Sequence, residues 1–378
     1  MKKIALIGST GSIGVQTLSV CRRYPDKFKI VSLAAGKNTA LFSEQVKEFC
    51  PKVATVEQQF DGMDELKKIS EISVGETAFT DAIVKDADLI VIALVGFTGI
   101  IAVLDAINKG KNIALANKES LVAGGELVIR KAREKGVKIV PIDSEHSAIW
   151  QALSFDFDRP FKKIILTASG GAFRDKTAEE LKTATAADAL KHPNWAMGAK
   201  ITVDCATLVN KAFEVIEARW LYGTPFDKID VIIHRESIIH SIVEYPDGSF
   251  IAQMSYPTME LPIQLALSYP ERLSPVVESL NFSKIGKLTF SELDNNRFPA
   301  FGEVVSAGRK GGAYPAVANG ANDALNRLFL KGRIGFTDIY AGIAGALSAY
   351  SGGAVEDYES LKAANDFAAR FVKEKYGE

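Results

Sequence analysis

The chain has 378 residues, of which 47% are hydrophobic, and its formal net charge is −1. This is enough apolar sequence for two or three domains, and the near-neutral charge excludes the basic surface typical of proteins that bind nucleic acids or anionic membranes. The three cysteines, Cys21, Cys50 and Cys205, are not spaced like metal ligands, and their odd number does not make a complete set of disulfides. Both features are typical of a reducing compartment. No signal or transit sequence precedes the first predicted strand, so we expect a cytoplasmic location.

The first predicted strand ends in a glycine-rich turn that leads into a helix at 15–23. The residues of the turn are Gly8, Ser9, Thr10, Gly11, Ser12, Ile13 and Gly14. Such a turn lets a pyrophosphate approach the backbone, and the helix N-terminus offers N–H groups and a positive dipole end. Its G-x-x-G-x-x-G spacing is less common than G-x-G-x-x-G, and a tight turn without a ligand is the alternative. The flanking strand and helix, with a second strand at 28–33, favour dinucleotide binding.

The end of that second strand indicates which nicotinamide cofactor is used. An NAD site has an acidic residue there, about twenty residues after the last glycine. Here the sequence is Ala34-Ala35-Gly36-Lys37-Asn38, with one cation and no acid. Lys37 would attract the 2′-phosphate of NADPH, so NADPH is the predicted cofactor, and an uninvolved surface lysine is the alternative.

Strands and helices alternate up to about residue 143. The apolar run 89–104 is too short to span a membrane, so it is predicted as a buried strand, 89–95, followed by a helix that ends near 107. Further strands are predicted at 112–116 and 137–142, and a helix at 125–135. This pattern predicts a Rossmann-like, doubly wound parallel sheet. Its ligands should collect at the carboxyl ends of the strands.

Two carboxylates, Asp143 and Glu145, directly follow the strand predicted at 137–142. A third carboxylate, Glu214, lies on a predicted helix at 208–220 and shares one face with Asn210 and Lys211. Three carboxylates suit Mg²⁺ or Mn²⁺ better than zinc, which more often binds His or Cys. The pattern predicts a metal site beside a phosphate clamp, and a solvated acidic turn followed by an ordinary helix is the alternative.

Beyond residue 143 the pattern changes to an open sheet with flanking helices. Strands are predicted at 163–167, 231–233, 242–245 and 249–254, and a further helix at 262–268. A polar segment between Gly171 and Gly198 ends in His192-Pro193-Asn194-Trp195-Ala196-Met197. We interpret it as a mobile lid that excludes water from the substrate; a surface loop with a packed Trp195 is the alternative.

From residue 292 the sequence predicts a small helical domain. Its helices are predicted at 321–330, 339–350 and 358–375, and no chemistry is concentrated in them. Four segments follow from these patterns. They are an NADPH-binding domain at 1–143, a central α+β catalytic domain at 144–269 with the lid at about 169–199, a linker at 270–291 and the helical domain at 292–378.

Taken together, these motifs resemble the 1-deoxy-D-xylulose 5-phosphate reductoisomerases. The matching segments are 8–14, 116–120, 143–146, 168–171, 192–198, and 210–211 with Glu214. The resemblance covers nearly the whole chain in order. It implies a homodimeric, metal-dependent oxidoreductase and isomerase of the non-mevalonate isoprenoid pathway. Such an enzyme uses NADPH and converts 1-deoxy-D-xylulose 5-phosphate to 2-C-methyl-D-erythritol 4-phosphate by rearrangement and hydride transfer.

The resemblance also implies a role for individual residues. The implied metal ligands are Asp143, Glu145 and Glu214, for Mg²⁺ or Mn²⁺, with Co²⁺ as a further candidate. The implied cofactor-binding residues are Gly8, Ser9, Thr10, Gly11, Ser12, Ile13, Gly36, Lys37, Asn38, Asn117, Glu119 and Gly198. The implied substrate-binding residues are Lys118, Ser144, Glu145, Ser169, His192, Trp195, Cys205, Asn210, Lys211, Glu214, His240 and Met259. The candidates for acid–base catalysis are Lys118, Glu145, His146 and His192, which the sequence does not rank.

Three residues depart from the family pattern. Cys205 replaces the usual serine of the phosphate pocket, and because a thiol is a weaker donor than a hydroxyl, we expect a lower phosphate affinity. Ala196 and Lys191 replace a usual serine and arginine of the lid, and they are expected to modulate its closure rather than abolish it.

Two other functions stay open at this point. One is an NADP-dependent semialdehyde dehydrogenase with Cys205 as its nucleophile, which needs no metal. The other is a non-catalytic dinucleotide-sensing protein.

Overall fold

A computed structural model describes residues 1–195 and 197–377, and these residues divide into two compact units. Unit 1 comprises Met1–Asn117, Val128–Ser147 and Thr258–Glu278. Unit 2 comprises Lys118–Leu127, Ala148–Pro257 and the chain from Ser279 onwards.

Unit 1 is built on a parallel sheet of seven strands in the described ranges, in the order β4-β3-β2-β1-β5-β6-β7. The strands are β1 (Lys2–Ile7), β2 (Phe28–Ala35), β3 (Val53–Val56), β4 (Glu71–Val74), β5 (Leu89–Ile92), β6 (Ile113–Leu115) and β7 (Ile139–Pro141). Residues 4–7 of β1 and 90–92 of β5 are completely buried, because helices cover both faces of such a sheet. The strand order reverses between β1 and β5, which is where ligands bind in this fold class.

The helices of Unit 1 follow the strands in alternation. They are α1 (Ser12–Arg23), α2 (Thr39–Phe49), α3 (Met63–Leu66), α4 (Ala78–Asp81), α5 (Gly99–Asn108) and α13 (Glu260–Ser268). Two further helices, α7 (Gly125–Lys135) and α8 (Ser144–Ala152), cross the unit boundaries along the chain, and the short α6 (Glu119–Val122) belongs to Unit 2.

Unit 2 contains a mixed sheet of five strands within the described residues, in the order β11-β10-β8-β9-β12. The strands are β8 (Lys163–Ala168), β9 (Ile229–Ile233), β10 (Ile239–Glu244), β11 (Phe250–Met254) and β12 (Ser291–Glu292). β8 and β9 are parallel, and the other neighbours are antiparallel.

Helices make up most of the rest of Unit 2. They are α9 (Ala178–Lys182), α10 (Ala186–Ala189), α11 (Ala199–Ala206), α12 (Val209–Leu221), a 3-10 helix (Phe226–Lys228), α14 (Phe282–Ile285), α15 (Pro299–Lys310), α16 (Tyr314–Leu330), α17 (Phe336–Ala349) and α18 (Tyr358–Tyr376). α16 is the most central of the C-terminal helices, since it packs against α15, α17, α18 and α11.

The predicted fold class is confirmed: a Rossmann-like parallel sheet, a second open sheet and C-terminal helices are all present. No helix or strand is predicted from the sequence between residues 39 and 88, where the structure has β3, β4 and α2 to α4. Several of these are only four residues long, which is too short for a periodic pattern to stand out.

The predicted division into four segments remains a prediction. The structure groups Thr258–Glu278 with Unit 1, where α13 packs against α1.

None of the helices in the described ranges combines the length and the apolar content that crossing a bilayer requires.

Candidate active site

The turn between β1 and α1 is packed too tightly for side chains at two of its glycines. Gly8 has φ +92°, and a Cβ atom there would lie 2.7 Å from the Ala93 carbonyl oxygen. A Cβ atom at Gly14 would lie 2.2 Å from the Gly8 carbonyl oxygen. Among the described residues, no side chain caps α1, so its N-terminal N–H groups are suited to bind an anion.

The carboxyl end of β2 carries the residues predicted to select the cofactor. Lys37 and Asn38 are exposed, and the Asn38 side chain accepts a hydrogen bond from the Leu41 N–H at 3.3 Å, which caps α2. One carboxylate that the sequence analysis missed also lies here. Glu57 Oε2 would be 3.0 Å from a Cβ atom at Gly36, because the parallel sheet places the end of β3 beside the end of β2.

Asn117 follows β6 at the same edge of the sheet. Its side-chain amide donates to the carbonyl oxygens of Leu94 and Gly96 at 3.2 and 3.0 Å, and a Cβ atom at Gly99 would lie 2.5 Å from it. Asn117 therefore holds the turn that follows β5. The structure brings the cofactor candidates of Unit 1 (8–13, 36–38 and 117) to the carboxyl ends of β1, β2 and β6.

The residues after β7 form the first turn of α8. The Asp143 side chain accepts a hydrogen bond from the Glu145 N–H at 3.2 Å, and the Ser144 hydroxyl donates to the Glu145 carboxylate. Both carboxylates are half-buried, whereas His146 is completely buried. Met259, the residue before α13, is half-buried. Unit 1 therefore contributes Asp143 and Glu145 from one turn.

Within Unit 2, α12 carries a compact cluster of charged groups. Asn210 donates to Glu214 Oε1 at 2.6 Å, and the Lys211 ammonium contacts Glu214 Oε2. Lys118 Nζ lies 2.8 Å from Glu217 Oε2 and 3.7 Å from Glu214 Oε1. All four charged side chains are nearly or fully buried. The structure thus brings four predicted site residues together and adds Glu217, which the sequence analysis missed.

His192 and Ser169 are also brought together in Unit 2, with the His192 ring 3.0 Å from the Ser169 hydroxyl through Nε2. The Gly171 N–H donates to the same hydroxyl at 3.2 Å. Burial, followed by the nearby positive charge of Arg174, lowers the pKa of His192 to about 4. His192 is therefore neutral at pH 7.

The end of the segment interpreted as a lid contacts the loop and strand at 234–240. The Asn194 amide donates to the Arg235 carbonyl oxygen at 2.6 Å and to the Ser237 hydroxyl at 2.7 Å. The Trp195 ring lies edge-on to His240, with the centroids 6.3 Å apart, and His240 Nε2 lies 2.9 Å from the Ser255 hydroxyl. Ala196 lies outside the described residues, and Lys191 is exposed. Gly198 caps α11 with extended backbone.

Cys205 lies on α11 and is half-buried. The loop after β8 packs tightly on its backbone, since a Cβ atom at Gly171 would lie 2.4 Å from the Cys205 carbonyl oxygen. This packing places the loop that carries Ser169 beside the turn between α11 and α12.

Three family models match the chain in order. The model described as 1-deoxy-D-xylulose 5-phosphate reductoisomerase matches residues 4–125, and two models of C-terminal domains of that enzyme match residues 139–222 and 254–371. The relatives from Gloeobacter violaceus and Bacillus thuringiensis subsp. konkukian, both named 1-deoxy-D-xylulose 5-phosphate reductoisomerase, are 45% and 44% identical. Each match covers 99% of this chain and 97% or 98% of the relative. The chain belongs to this family.

Solved structures of reductoisomerases have the same fold over the full chain. The enzyme from Zymomonas mobilis in complex with NADPH is 36% identical, with a TM-score of 0.93 and coverage of 100% of this chain and 99% of that one. A second reductoisomerase, in complex with NADPH, fosmidomycin and magnesium, is 34% identical, with a TM-score of 0.93 and coverage of 100% and 98%.

Several polar residues of this reductoisomerase-family chain were missed in the sequence analysis because they lie outside the recognised motifs. The predicted cofactor residue Glu119 is buried in Unit 2, where Lys200 donates to it at 3.1 Å. The C-terminal helices, in which no chemistry was predicted, supply Asn322, Asp323 and Asn326 to the same cluster. One signal was present in the sequence: asparagines at 319, 322 and 326 repeat at helical spacing along the otherwise apolar α16.

Proposed function

We propose that this chain is an NADPH-dependent reductoisomerase that converts 1-deoxy-D-xylulose 5-phosphate to 2-C-methyl-D-erythritol 4-phosphate in the non-mevalonate isoprenoid pathway. The observation that carries the proposal is the buried cluster on α12, where Asn210, Lys211 and Lys118 surround Glu214, in a chain that matches this family from end to end. Family membership favours this function over a semialdehyde dehydrogenase or a dinucleotide sensor.

The phosphate group of the substrate is proposed to bind to Ser169, Asn210 and Lys211, with Cys205 nearby. The Ser169 oxygen already accepts from the Gly171 N–H and faces His192, so its own hydrogen can point to a phosphate oxygen. An amide has two N–H donors and Asn210 uses one on Glu214. The second N–H of the Asn210 amide can then donate to a phosphate oxygen.

The proposed metal ligands are Asp143, Glu145 and Glu214, with Mg²⁺ or Mn²⁺ as the expected ion and Co²⁺ as a further candidate. This donor set consists only of carboxylate oxygens, which hard divalent cations prefer. The hydrogen bonds that Glu214 accepts from Asn210 and Lys211 orient its carboxylate. When bound, such an ion stabilises the negative charge that develops on the substrate oxygens during rearrangement and polarises the aldehyde for reduction.

Among the acid–base candidates, we infer that Lys118 is the best placed in Unit 2. His192 is neutral at pH 7, and its Nδ1 atom already accepts hydrogen bonds from two backbone N–H groups, which suits a residue that orients Ser169. The Lys118 side chain is 12% exposed, and its ammonium is held by Glu217 and lies near Glu214. It can donate a proton to an oxygen that becomes negative. Glu145 remains the second candidate, and the complete burial of His146 favours a packing role.

For the cofactor, we propose that the turn at 8–13 binds the pyrophosphate of NADPH and that Lys37 and Asn38 lie at its 2′-phosphate. The tight backbone of this turn and the uncapped N-terminus of α1 support this placement. Trp195, Gly198, His240 and Met259 are proposed to cover the substrate and the nicotinamide, and water exclusion would then protect the hydride transfer. Ser144 is proposed to orient Glu145.

A homodimer is also proposed, on the basis of one edge of the sheet in Unit 2. β11 is an edge strand, and it exposes Phe250 and Ile251 at 58% and 46%. An exposed apolar edge strand is a template for pairing with another strand, and a second copy of the chain would cover it. A cytoplasmic location is proposed as well, because an odd number of cysteines without metal-type spacing is typical of a reducing compartment.

The activity is tested by following NADPH oxidation with 1-deoxy-D-xylulose 5-phosphate in the presence of Mg²⁺ or Mn²⁺. We expect turnover that a chelator abolishes and that either metal restores, and a product that mass spectrometry and NMR identify as 2-C-methyl-D-erythritol 4-phosphate. Reactions without the sugar phosphate serve as the control. The absence of NADPH oxidation with either metal would refute the proposal.

A further inference from the structure

A buried ion cluster lies beside the proposed site in Unit 2, and its centre is the Lys200 ammonium. Lys200 Nζ lies 3.1 Å from a carboxylate oxygen of each of Glu119, Asp204 and Asp323. The exposed fractions of these three carboxylate side chains are 6%, 2% and 18%. The three partners come from α6, α11 and α16, so one side chain connects three helices that are distant in sequence.

The helix α16 orients this cluster through two amides. The side chains of Asn322 and Asn326 donate to Asp204 Oδ1 at 2.8 and 2.9 Å, while the other oxygen of Asp204 faces Lys200. Asn326 also donates to the Lys200 carbonyl oxygen at 3.1 Å. Side chains of α16 therefore orient the Asp204 carboxylate and hold the backbone at Lys200.

The charges in the cluster do not balance, because one ammonium faces three carboxylates. Burial alone would lower the pKa of Lys200, but the carboxylates of Asp204, Glu119 and Asp323 outweigh it and raise this pKa well above the usual value. Burial, with repulsion from Glu119 and Asp204, raises the pKa of Asp323. Lys200 is therefore a permanent cation, and its removal would take away the positive charge that these three carboxylates face.

Lys200 also contacts the sequence neighbours of Lys118 and Glu214, the two residues that face each other in the proposed site. Glu119 directly follows Lys118 in the chain, and Phe213 directly precedes Glu214. The Lys200 ammonium lies 5.6 Å from the centre of the Phe213 ring, within the range of a cation–π contact. One ammonium thus contacts a sequence neighbour of Lys118 and a sequence neighbour of Glu214, and Lys118 Nζ lies 3.7 Å from Glu214 Oε1.

We propose that Lys200 is a positioning residue, which sets the separation of Lys118 and Glu214 by holding Glu119 and Phe213, and that α16 contributes to catalysis through this cluster. The inference rests on the proposed function of Lys118 and Glu214. Stability alone does not explain the cluster, because replacing buried ion pairs by apolar groups of similar size is often neutral or stabilising. Positioning does explain it, since a displacement of about 1 Å costs about a hundredfold in rate.

The test compares Lys200→Met with a triple variant that also carries Glu119→Gln and Asp323→Asn. The triple variant leaves one carboxylate, Asp204, which still accepts hydrogen bonds from Asn322 and Asn326, so it should fold even where the single variant does not. We expect the triple variant to unfold near the temperature of the unmodified protein while its kcat falls by about a hundredfold and its KM changes much less. Lys200→Arg, which keeps the charge, should recover part of the lost kcat.

Lys362→Met is the control, because it breaks an exposed ion pair with Asp366 on α18, and its kcat should be unchanged. A folded triple variant with the kcat of the unmodified protein would overturn the inference. Amide hydrogen exchange at residues 118–122 and 210–217 provides a readout that does not depend on turnover. If the unmodified protein fails to convert 1-deoxy-D-xylulose 5-phosphate, the proposed function is wrong. If amide exchange in these segments is the same in the triple variant and in the unmodified protein, the role of Lys200 in positioning is wrong.

Discussion

The imidazole of His192 and the hydroxyl of Ser169 form a hydrogen bond, and backbone N–H groups determine which ring nitrogen of His192 carries the proton. His192 Nδ1 accepts hydrogen bonds from the N–H groups of Asn194 and Trp195 at 3.2 and 3.0 Å. The neutral ring therefore carries its proton on Nε2 and donates it to Ser169 Oγ at 3.0 Å. A protonated ring could not accept at Nδ1, so both backbone contacts depend on the neutral state.

We expect His192 to make stability depend on pH between about pH 6.5 and 4. Its pKa falls from 6.5 to about 4 on folding, because burial and then Arg174 disfavour the charged form. As the pH decreases below 6.5 the unfolded chain binds the proton first, so the folded state loses stability until the pH is below about 4. In His192→Gln, the free energy of unfolding should fall less between pH 7 and 5. Urea unfolding at pH 7 and pH 5 measures the free energy of unfolding of both proteins. The same decrease between these pH values in His192→Gln and in the unmodified protein would contradict the prediction.

Asp143→Asn should abolish metal-dependent turnover while NADPH binding persists. The change keeps the shape of the side chain but removes a charge from the proposed ligand set, so metal affinity should fall steeply. Mn²⁺ titration by calorimetry and NADPH fluorescence separate the two effects. Asp158→Asn, at an exposed position, is the control and should leave both unchanged. Near-normal, chelator-insensitive activity of Asp143→Asn would show that the ligand assignment is wrong.

Lys37→Glu should reverse part of the preference for NADPH over NADH. A carboxylate there would repel the 2′-phosphate, and Glu57→Gln, which removes a negative charge beside Gly36, should shift the preference in the opposite direction. The ratio of kcat/KM for the two cofactors measures both changes. Lys29→Glu is the control, because Lys29 is exposed near the other end of β2. Equal use of both cofactors by the unmodified protein would contradict the assignment.

Trp195→Ala should raise KM and lower kcat together. Its ring packs edge-on to His240, and if it also covers the bound substrate, its loss opens the site to water. Tryptophan fluorescence and proteolysis of residues 170–195, with and without a phosphonate analogue, report on closure. Trp220→Phe controls for the loss of a tryptophan elsewhere in Unit 2. A segment that does not respond to the ligand would be a static loop.

Cys205→Ser tests whether the thiol binds phosphate or acts as a nucleophile. A hydroxyl is the stronger donor, so kcat should be retained and KM for 1-deoxy-D-xylulose 5-phosphate should stay the same or decrease. A nucleophilic thiol predicts the reverse, because a serine without an activating base reacts slowly at neutral pH. Steady-state kinetics of this variant decide the matter, and loss of most of kcat would disprove the phosphate-pocket role.

The sequence by itself determined the elements and motifs that depend on neighbours along the chain. The glycine turn at 8–14, the helix Gly125–Lys135 and the buried strands were predictable, because local periodicity and turn chemistry decide which face is buried and where the backbone bends. The predicted metal ligands Asp143 and Glu145 came from residue type and from their position after a strand, which is also local information.

Only the tertiary structure decided which distant groups meet. Lys118 pairs with Glu217 across 99 residues, Lys200 with Glu119 across 81, and Asn326 with Asp204 across 122. Glu57 reaches Gly36 because two parallel strands are neighbours. A local pattern such as the asparagine spacing on α16 marks a polar face but does not specify the partner, since the partner depends on how helices and strands pack. Whether a buried charge is stable at a given position depends in turn on the partner that this packing supplies.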